Sequence, residues 1–237
     1  MKVQGANVFI TGANRGIGLA LARRARDLGA AKVYAGMRNT AGFSEPGLIP
    51  VQIDVTDEAS VQAAVRAAGD VTILINNAGI GAVKPDALDP GVEAQSREMF
   101  ETNYFGVVRV TQAFAPVLTQ AAKSAIVNVL SSVTWLPAPF LTAYAASKAA
   151  AWSYTNSLRQ TMQATSTSVL ALHVHFVDTD MTRLFDAPKT QPDDVAQQTL
   201  AALEAGQVEL FADDTARAAK ATLSSEHALY LAPQPAH

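Results

Sequence analysis

Short unbroken runs of apolar, largely β-branched residues alternate along this chain with longer stretches in which apolar positions recur at helical spacing. The first pair sets the pattern. Ala6–Thr11 (ANVFIT) is an apolar run that stops at Gly12, and Gly16–Leu28 then carries Ile17, Leu19, Leu21, Ala25 and Leu28 before Gly29. A strand followed by a helix is the expected reading. Further strands are expected at Lys32–Met37, Leu48–Ile53, Val71–Asn76, Ala125–Leu130, Ser168–Val177 and Val208–Phe211. Helices are expected at Asp57–Ala68 (capped near Thr56), Glu98–Gln120, Ala143–Gln163, Asp193–Ala205 and Asp213–Leu223, and the tail Ala232–His237 reads as a frayed end. The strands are apolar throughout rather than alternating, so both of their faces should be covered. Seven such strands interleaved with helices predict a doubly wound α/β (Rossmann) fold, a parallel sheet with helices on both faces. No linker or repeat divides the pattern, so one domain over residues 1–237 is expected.

Composition narrows the function classes. Of 237 residues, 49% are hydrophobic and 16% charged, which suits a globular chain rather than a disordered one. A formal charge of −3 supplies no basic field for nucleic acid or an anionic membrane, so neither is expected as a partner. No apolar run is long enough to cross a bilayer. The N-terminus lacks a secretory pattern. Without cysteine there is no disulfide, thiolate metal site or Cys nucleophile, and a cytoplasmic setting is the expectation.

The first strand leads into Thr11-Gly12-Ala13-Asn14-Arg15-Gly16-Ile17-Gly18 and then a helix. Glycines let a backbone turn tightly and approach a ligand closely. A helix N-terminus offers N–H groups and a positive dipole end to a pyrophosphate. Asn76-Asn77-Ala78-Gly79 follows the fourth strand, Asn103 lies in the next helix, Ser131 ends the fifth strand, and Tyr144 and Lys148 form Tyr-x-x-x-Lys. In this order, over essentially the whole chain, the motifs make the sequence resemble the short-chain dehydrogenase/reductase family.

Tyr144 and Lys148 stand four apart on a predicted helix, on one face and one turn from each other. A nearby ammonium favours the phenolate by Coulomb attraction, so the pair is expected to bring the phenol down toward neutral pH. Tyr144 then serves as acid for carbonyl reduction or base for alcohol oxidation. Ser131 sits at a strand's carboxyl end, where ligands of open α/β sheets bind, and Ser132 competes with it. The Ser131 hydroxyl can donate to an oxygen on which negative charge develops. The resemblance implies that NADPH delivers hydride, Tyr144 protonates the carbonyl oxygen and Ser131 holds it. It further implies that Lys148 polarises Tyr144 and grips the nicotinamide ribose, while Asn103 kinks its helix and supports a proton relay. The competing reading of Asn103 is a polar residue on a solvated face.

The end of the second strand holds Met37-Arg38 instead of an acid, and Arg15 lies inside the glycine turn. Two guanidiniums suit a 2′-phosphate, so NADP(H) is expected over NAD(H), unless the arginines simply face solvent. The resemblance assigns Asp54 to the adenine amino group with Val55 packed beside it, although Asp54 could instead only cap a turn. It places Gly12, Asn14, Arg15, Gly16, Ile17, Gly18, Asn76, Ala78 and Gly79 along the cofactor. It also assigns Thr179 to the carboxamide, but the Pro-Gly that the family carries after the sixth strand is missing between His175 and Phe176. Either the strand re-registers or nicotinamide binding weakens. His173 and His175 do not make a metal site, and none is expected. Trp135, Leu136, Phe140, Leu184 and Phe185 are expected to wall an apolar pocket for a hydrophobic or aryl ketone or aldehyde. The two long helices suggest a homodimer or homotetramer, as in the family. Competing readings are a dinucleotide-binding sensor without turnover, and an eliminating, dehalogenase-like relative that needs no nicotinamide.

Overall fold

The computed structural model describes residues 1–136 and 138–231, so the tail expected to fray lies outside it. Its strands are β1 (Asn7–Thr11), β2 (Lys32–Met37), β3 (Ile49–Gln52), β4 (Ile73–Asn76), β5 (Ser124–Ser131), β6 (Thr167–Val174) and β7 (Glu209–Phe211). They form one parallel sheet in the order β3-β2-β1-β4-β5-β6-β7, the doubly wound topology expected. The helices are α1 (Gly16–Asp27), α2 (Glu58–Ala67), α3 (Val92–Phe100), α4 (Gly106–Gln120), α5 (Thr142–Met162), α6 (Pro192–Glu204) and α7 (Asp214–Ala221).

Two cores explain why the strands read as unbroken apolar runs. Val8 and Ile10 of β1 join Leu172 of β6 against Leu21 of α1 and Leu200 of α6. Phe9, between them in sequence, faces the opposite layer with Leu74 and Ile126 against Phe114 of α4 and Leu158 of α5. Each successive strand residue serves one layer or the other, so the strands read as nearly continuous apolar runs.

The structure corrects three boundaries. The expected helix from Glu98 begins earlier, at Val92, and is interrupted at Glu101–Phe105 by a π-helical turn. Asp57 rather than Thr56 caps α2, its carboxylate accepting from the Ala59 and Ser60 amides. β6 leaves the sheet at Val174 instead of Val177, and the following residues form a strap closed on itself by the isolated Val177–Thr190 bridge.

Candidate active site

The strand order reverses between β1 and β4, and the carboxyl ends of these strands open into a cleft of about 290 Å³. Such a crevice is where open α/β sheets bind ligands. Gly12, Asn14, Arg15, Gly16 and Ile17 line it from the glycine turn. Gly12 and Gly16 have φ of +68° and +54°, backbone shapes that only glycine adopts cheaply. Gly18 needs its missing side chain for another reason: a Cβ there would collide with the Gly12 carbonyl and the Asn77 amide. The Thr11 hydroxyl accepts from the Asn77 and Ala78 amides at 3.0 Å each, and Asn77 Nδ2 donates back to the Thr11 carbonyl at 2.9 Å. These bonds pin the β4 turn against the glycine turn. Arg15 opens α1 from an extended backbone without a side-chain cap among the described residues, and the first helical turn holds no acid. The bare backbone cradle and uncapped helix start fit the phosphates of a dinucleotide.

Arg38, Asp54 and Val55 line the far end of the cleft, and Ala78 and Gly79 its β4 wall. Asp54 Oδ1 accepts from the Thr56 amide at 2.9 Å and the Thr56 hydroxyl at 2.7 Å. These bonds hold its carboxyl below the usual range, with Arg38 and Arg109 adding attraction. Asp54 therefore both builds its turn and faces the cleft. Asn76 departs from the expectation. Its side chain is buried on the α4 side of the sheet, donating to Thr111 Oγ1 at 3.0 Å and to Asn128 Oδ1 at 2.8 Å. Asn77, its neighbour, lines the cleft instead.

Tyr144 lines the cleft, and Ser131, at the end of β5, is close enough to it to pull its phenol toward ionisation. Ser132 is fully buried, its Oγ 2.7 Å from His175 Nδ1, so of the two serines Ser131 is the one beside Tyr144. Lys148 is buried, with Nζ donating to the Val129 carbonyl at 2.9 Å and lying 5.7 Å from the centre of the Tyr144 ring. The expected downward pull on the phenol is overridden here. Burial pushes Tyr144 up to about 12 against the weaker, opposite effect of nearby Ser131, while burial brings Lys148 down to about 8. The phenol is thus held neutral, as a proton donor must be.

Asn103 sits inside the π-helical turn and is fully buried, so it does not belong to a solvated face. Its Oδ1 accepts from the Ile80 amide at 2.9 Å, and its Nδ2 donates to the Ile80 carbonyl and to Ser147 Oγ, both at 3.0 Å. Ser147 in turn donates to the Tyr144 carbonyl at 2.8 Å. A Cβ built on Gly79 would lie 3.2 Å from Asn103 Oδ1 and 3.6 Å from Lys148 Nζ, so the three meet at one point.

Despite the missing Pro-Gly, Thr179 reaches the cleft, because the strap draws three residues out of the expected strand. Its methyl lies 3.1 Å from where a Cβ would stand on Gly16. Phe176 stacks on Phe185 at 5.0 Å, and Phe185 lies tilted against Phe140 at 5.7 Å, an aromatic cluster whose members do not line the cleft itself. Leu184 is 85% exposed beside it. Trp135 is not part of that cluster: it is buried on the far side of the sheet edge against His173, Trp152 and Phe211. Sequence reasoning missed Asn77, Ser147, Asp180 and Met181. Asp180 and Met181 follow the Thr in sequence and line the cleft, whereas Ser147 is marked only as a mid-helix hydroxyl beside Lys148.

The family model for short chain dehydrogenases matches residues 6–189. The short chain dehydrogenase tazN of Aspergillus terreus is 37% identical over 165 residues, which are 62% of this chain and 36% of that protein. The NADPH-dependent 1-acyldihydroxyacetone phosphate reductase of Schizosaccharomyces pombe is 40% identical over 161 residues, 64% of this chain and 53% of that one. The chain thus spans between a third and about half of these two relatives. A crystal structure of a short chain dehydrogenase from Burkholderia cenocepacia in complex with NADP superposes with a TM-score of 0.91 at 34% identity, covering 98% of this chain and 100% of that one.

Proposed function

The chain belongs to the short chain dehydrogenase family, and from that premise we propose that it is an NADP(H)-dependent carbonyl reductase, reversible as an alcohol dehydrogenase. The observation that carries this reading is the grouping of Tyr144 with Ser131 beside it and the Lys148 ammonium 5.7 Å from its ring, in a cleft that begins in a bare glycine cradle. When bound, the nicotinamide supplies or takes up the hydride. The chain's own residues do the rest. Gly12, Gly16 and Gly18 let backbone approach the pyrophosphate, and Arg15 and Arg38 favour a 2′-phosphate. Ser131 donates to the carbonyl oxygen as charge develops on it, and Tyr144 Oη delivers the proton. Lys148 places a cation behind Tyr144, and Asn103 locks the Tyr144–Lys148 turn against the β4 wall through Ser147 and Ile80. The NADP-bound Burkholderia cenocepacia structure and the NADPH-dependent reductase of Schizosaccharomyces pombe support the choice of cofactor.

The cluster of Phe140, Phe176 and Phe185, on the segments that flank the cleft residues Tyr144 and Thr179, favours a hydrophobic or aryl ketone or aldehyde. The protein is read as one domain, cytoplasmic, and a homodimer or homotetramer. Among the described residues no helix is long and apolar enough to cross a membrane. The test is cofactor oxidation with NADPH and NADH side by side against aryl and aliphatic carbonyls. The expected result is NADPH-driven turnover that disappears in Tyr144→Phe. Turnover unchanged in that variant would overturn the assignment of the acid.

A further inference from the structure

Arg15 belongs to the glycine turn, yet its guanidinium reaches across the cleft. Its Nη1 lies 2.9 Å from Oδ2 of Asp180, on the strap that follows β6. Both residues line the same cleft. Beside this pair, the Thr179 methyl rests over Gly16, so the strap and the glycine turn touch at two adjacent points. Thr179 and Asp180 hold this position firmly, because Thr182 closes a capping box on Thr179. A dinucleotide lying along the glycine turn meets a carboxylate at this crossing, and a 2′-phosphate can use Arg15 only by drawing it off Asp180.

We propose that Asp180 is a specificity-determining residue for the cofactor, holding Arg15 in the unliganded cleft and thereby moderating the preference for the 2′-phosphorylated dinucleotide. The inference rests on the reading of Arg15 as a 2′-phosphate ligand. Asp180 acts in two separable ways. As a negative charge it opposes any dinucleotide, phosphorylated or not. As the partner of Arg15 it opposes only the one that needs Arg15. The pair is well exposed, at 69% and 62% of side-chain area, so solvent screens it and the effect is modest.

The experiment is a double-mutant cycle read by equilibrium binding of NADP+ and NAD+ to the purified chain, by calorimetry rather than turnover. Asp180→Asn is expected to raise the ratio of NADP+ to NAD+ affinity about two- to fivefold, the range an exposed ion pair supports. In the Arg15→Ala background the same substitution is expected to leave the ratio unchanged. Asp180→Asn that tightens both dinucleotides equally would overturn the inference, leaving only general repulsion. So would a change in the ratio that persists without Arg15. If Arg15→Ala alone leaves NADP+ affinity untouched, the assignment of Arg15 to the 2′-phosphate fails and the inference falls with it. If the parent chain binds neither dinucleotide, the proposed function itself fails.

Discussion

Lys148 carries the sharpest conflict of forces in the molecule. Its ammonium is buried and donates to the Val129 carbonyl, and burial brings it down to about 8. An unfolded lysine titrates near 10.4. The folded value of this base is depressed, so below about pH 8 the native state carries a cation that the unfolded state solvates better. Stability therefore rises with pH between about 8 and the unfolded value, where only the unfolded chain still binds the proton. Lys148→Met should accordingly be inactive yet more stable at pH 7, by on the order of 1–3 kcal/mol, with the advantage shrinking toward pH 10. Thermal unfolding at both pH values checks this, and a variant less stable at pH 7 would mean that the Val129 bond outweighs desolvation. Catalysis should follow the same group. Reductive kcat/KM is expected to fall as pH rises through about 8, because Lys148 loses the charge that stands behind Tyr144. Lys148→Arg, with a guanidinium that stays charged, should move that limb upward.

At the scale of elements, the glycine turn and the π-helical turn define the two walls of the site. Gly18→Ala would drive a methyl into the Gly12 carbonyl and the Asn77 amide. Backbone on one side leaves little room to yield, so a loss of about 1–3 kcal/mol is expected, measured as a lower urea midpoint, together with weaker dinucleotide binding. Asn103→Ala would strip the Ile80 amide and carbonyl of their partners, at about 1–3 kcal/mol for each group left unsatisfied. Asn103→Asp keeps the acceptor for Ile80 and should recover part of the stability. Most of this architecture is legible in the sequence wherever one element contains the whole signal. The apolar runs locate every strand, and Tyr144 with Lys148 lies within one helix. What is not legible depends on elements meeting. Between Glu93 and Arg97 only Ala94 is apolar, and α3 buries only Met99, so no hydrophobic stripe announces its start. Asn76 is still inside β4 and follows the strand alternation toward α4, while Asn77 just beyond it turns to the cleft. Trp135 follows Ser131 closely in sequence, but the short helical turn at Ser132–Thr134 swings it behind the sheet edge. Arg15 and Asp180 are 165 residues apart, and only the folded sheet shows that they meet.

Across the whole molecule, the π-helical turn also joins the site to the outer surface. Asn103 points inward from it, fully buried, while Phe105 points outward and is 47% exposed. Phe105 continues a ring of aromatics: Tyr104 lies 4.9 Å from it and 6.3 Å from Tyr154 of α5. A half-exposed Phe on the outer side of the α4–α5 pair, continuing this run of aromatics, suits a twofold contact, where each copy buries it once. The expected solution state is a dimer or tetramer by light scattering. Phe105→Asp should shift it to monomer, since losing about 1.5–3 kcal/mol of burial per copy counts twice and weakens association roughly 10²–10⁴-fold. Because Asn103 and Phe105 share one turn, the monomer should also lose kcat, with dinucleotide affinity at the glycine turn retained. A parent chain that is monomeric at micromolar concentration would remove the premise. A Phe105→Asp variant that stays assembled would move the contact elsewhere. A monomeric variant with full kcat would show that the π-helical turn holds Asn103 in place without its neighbours.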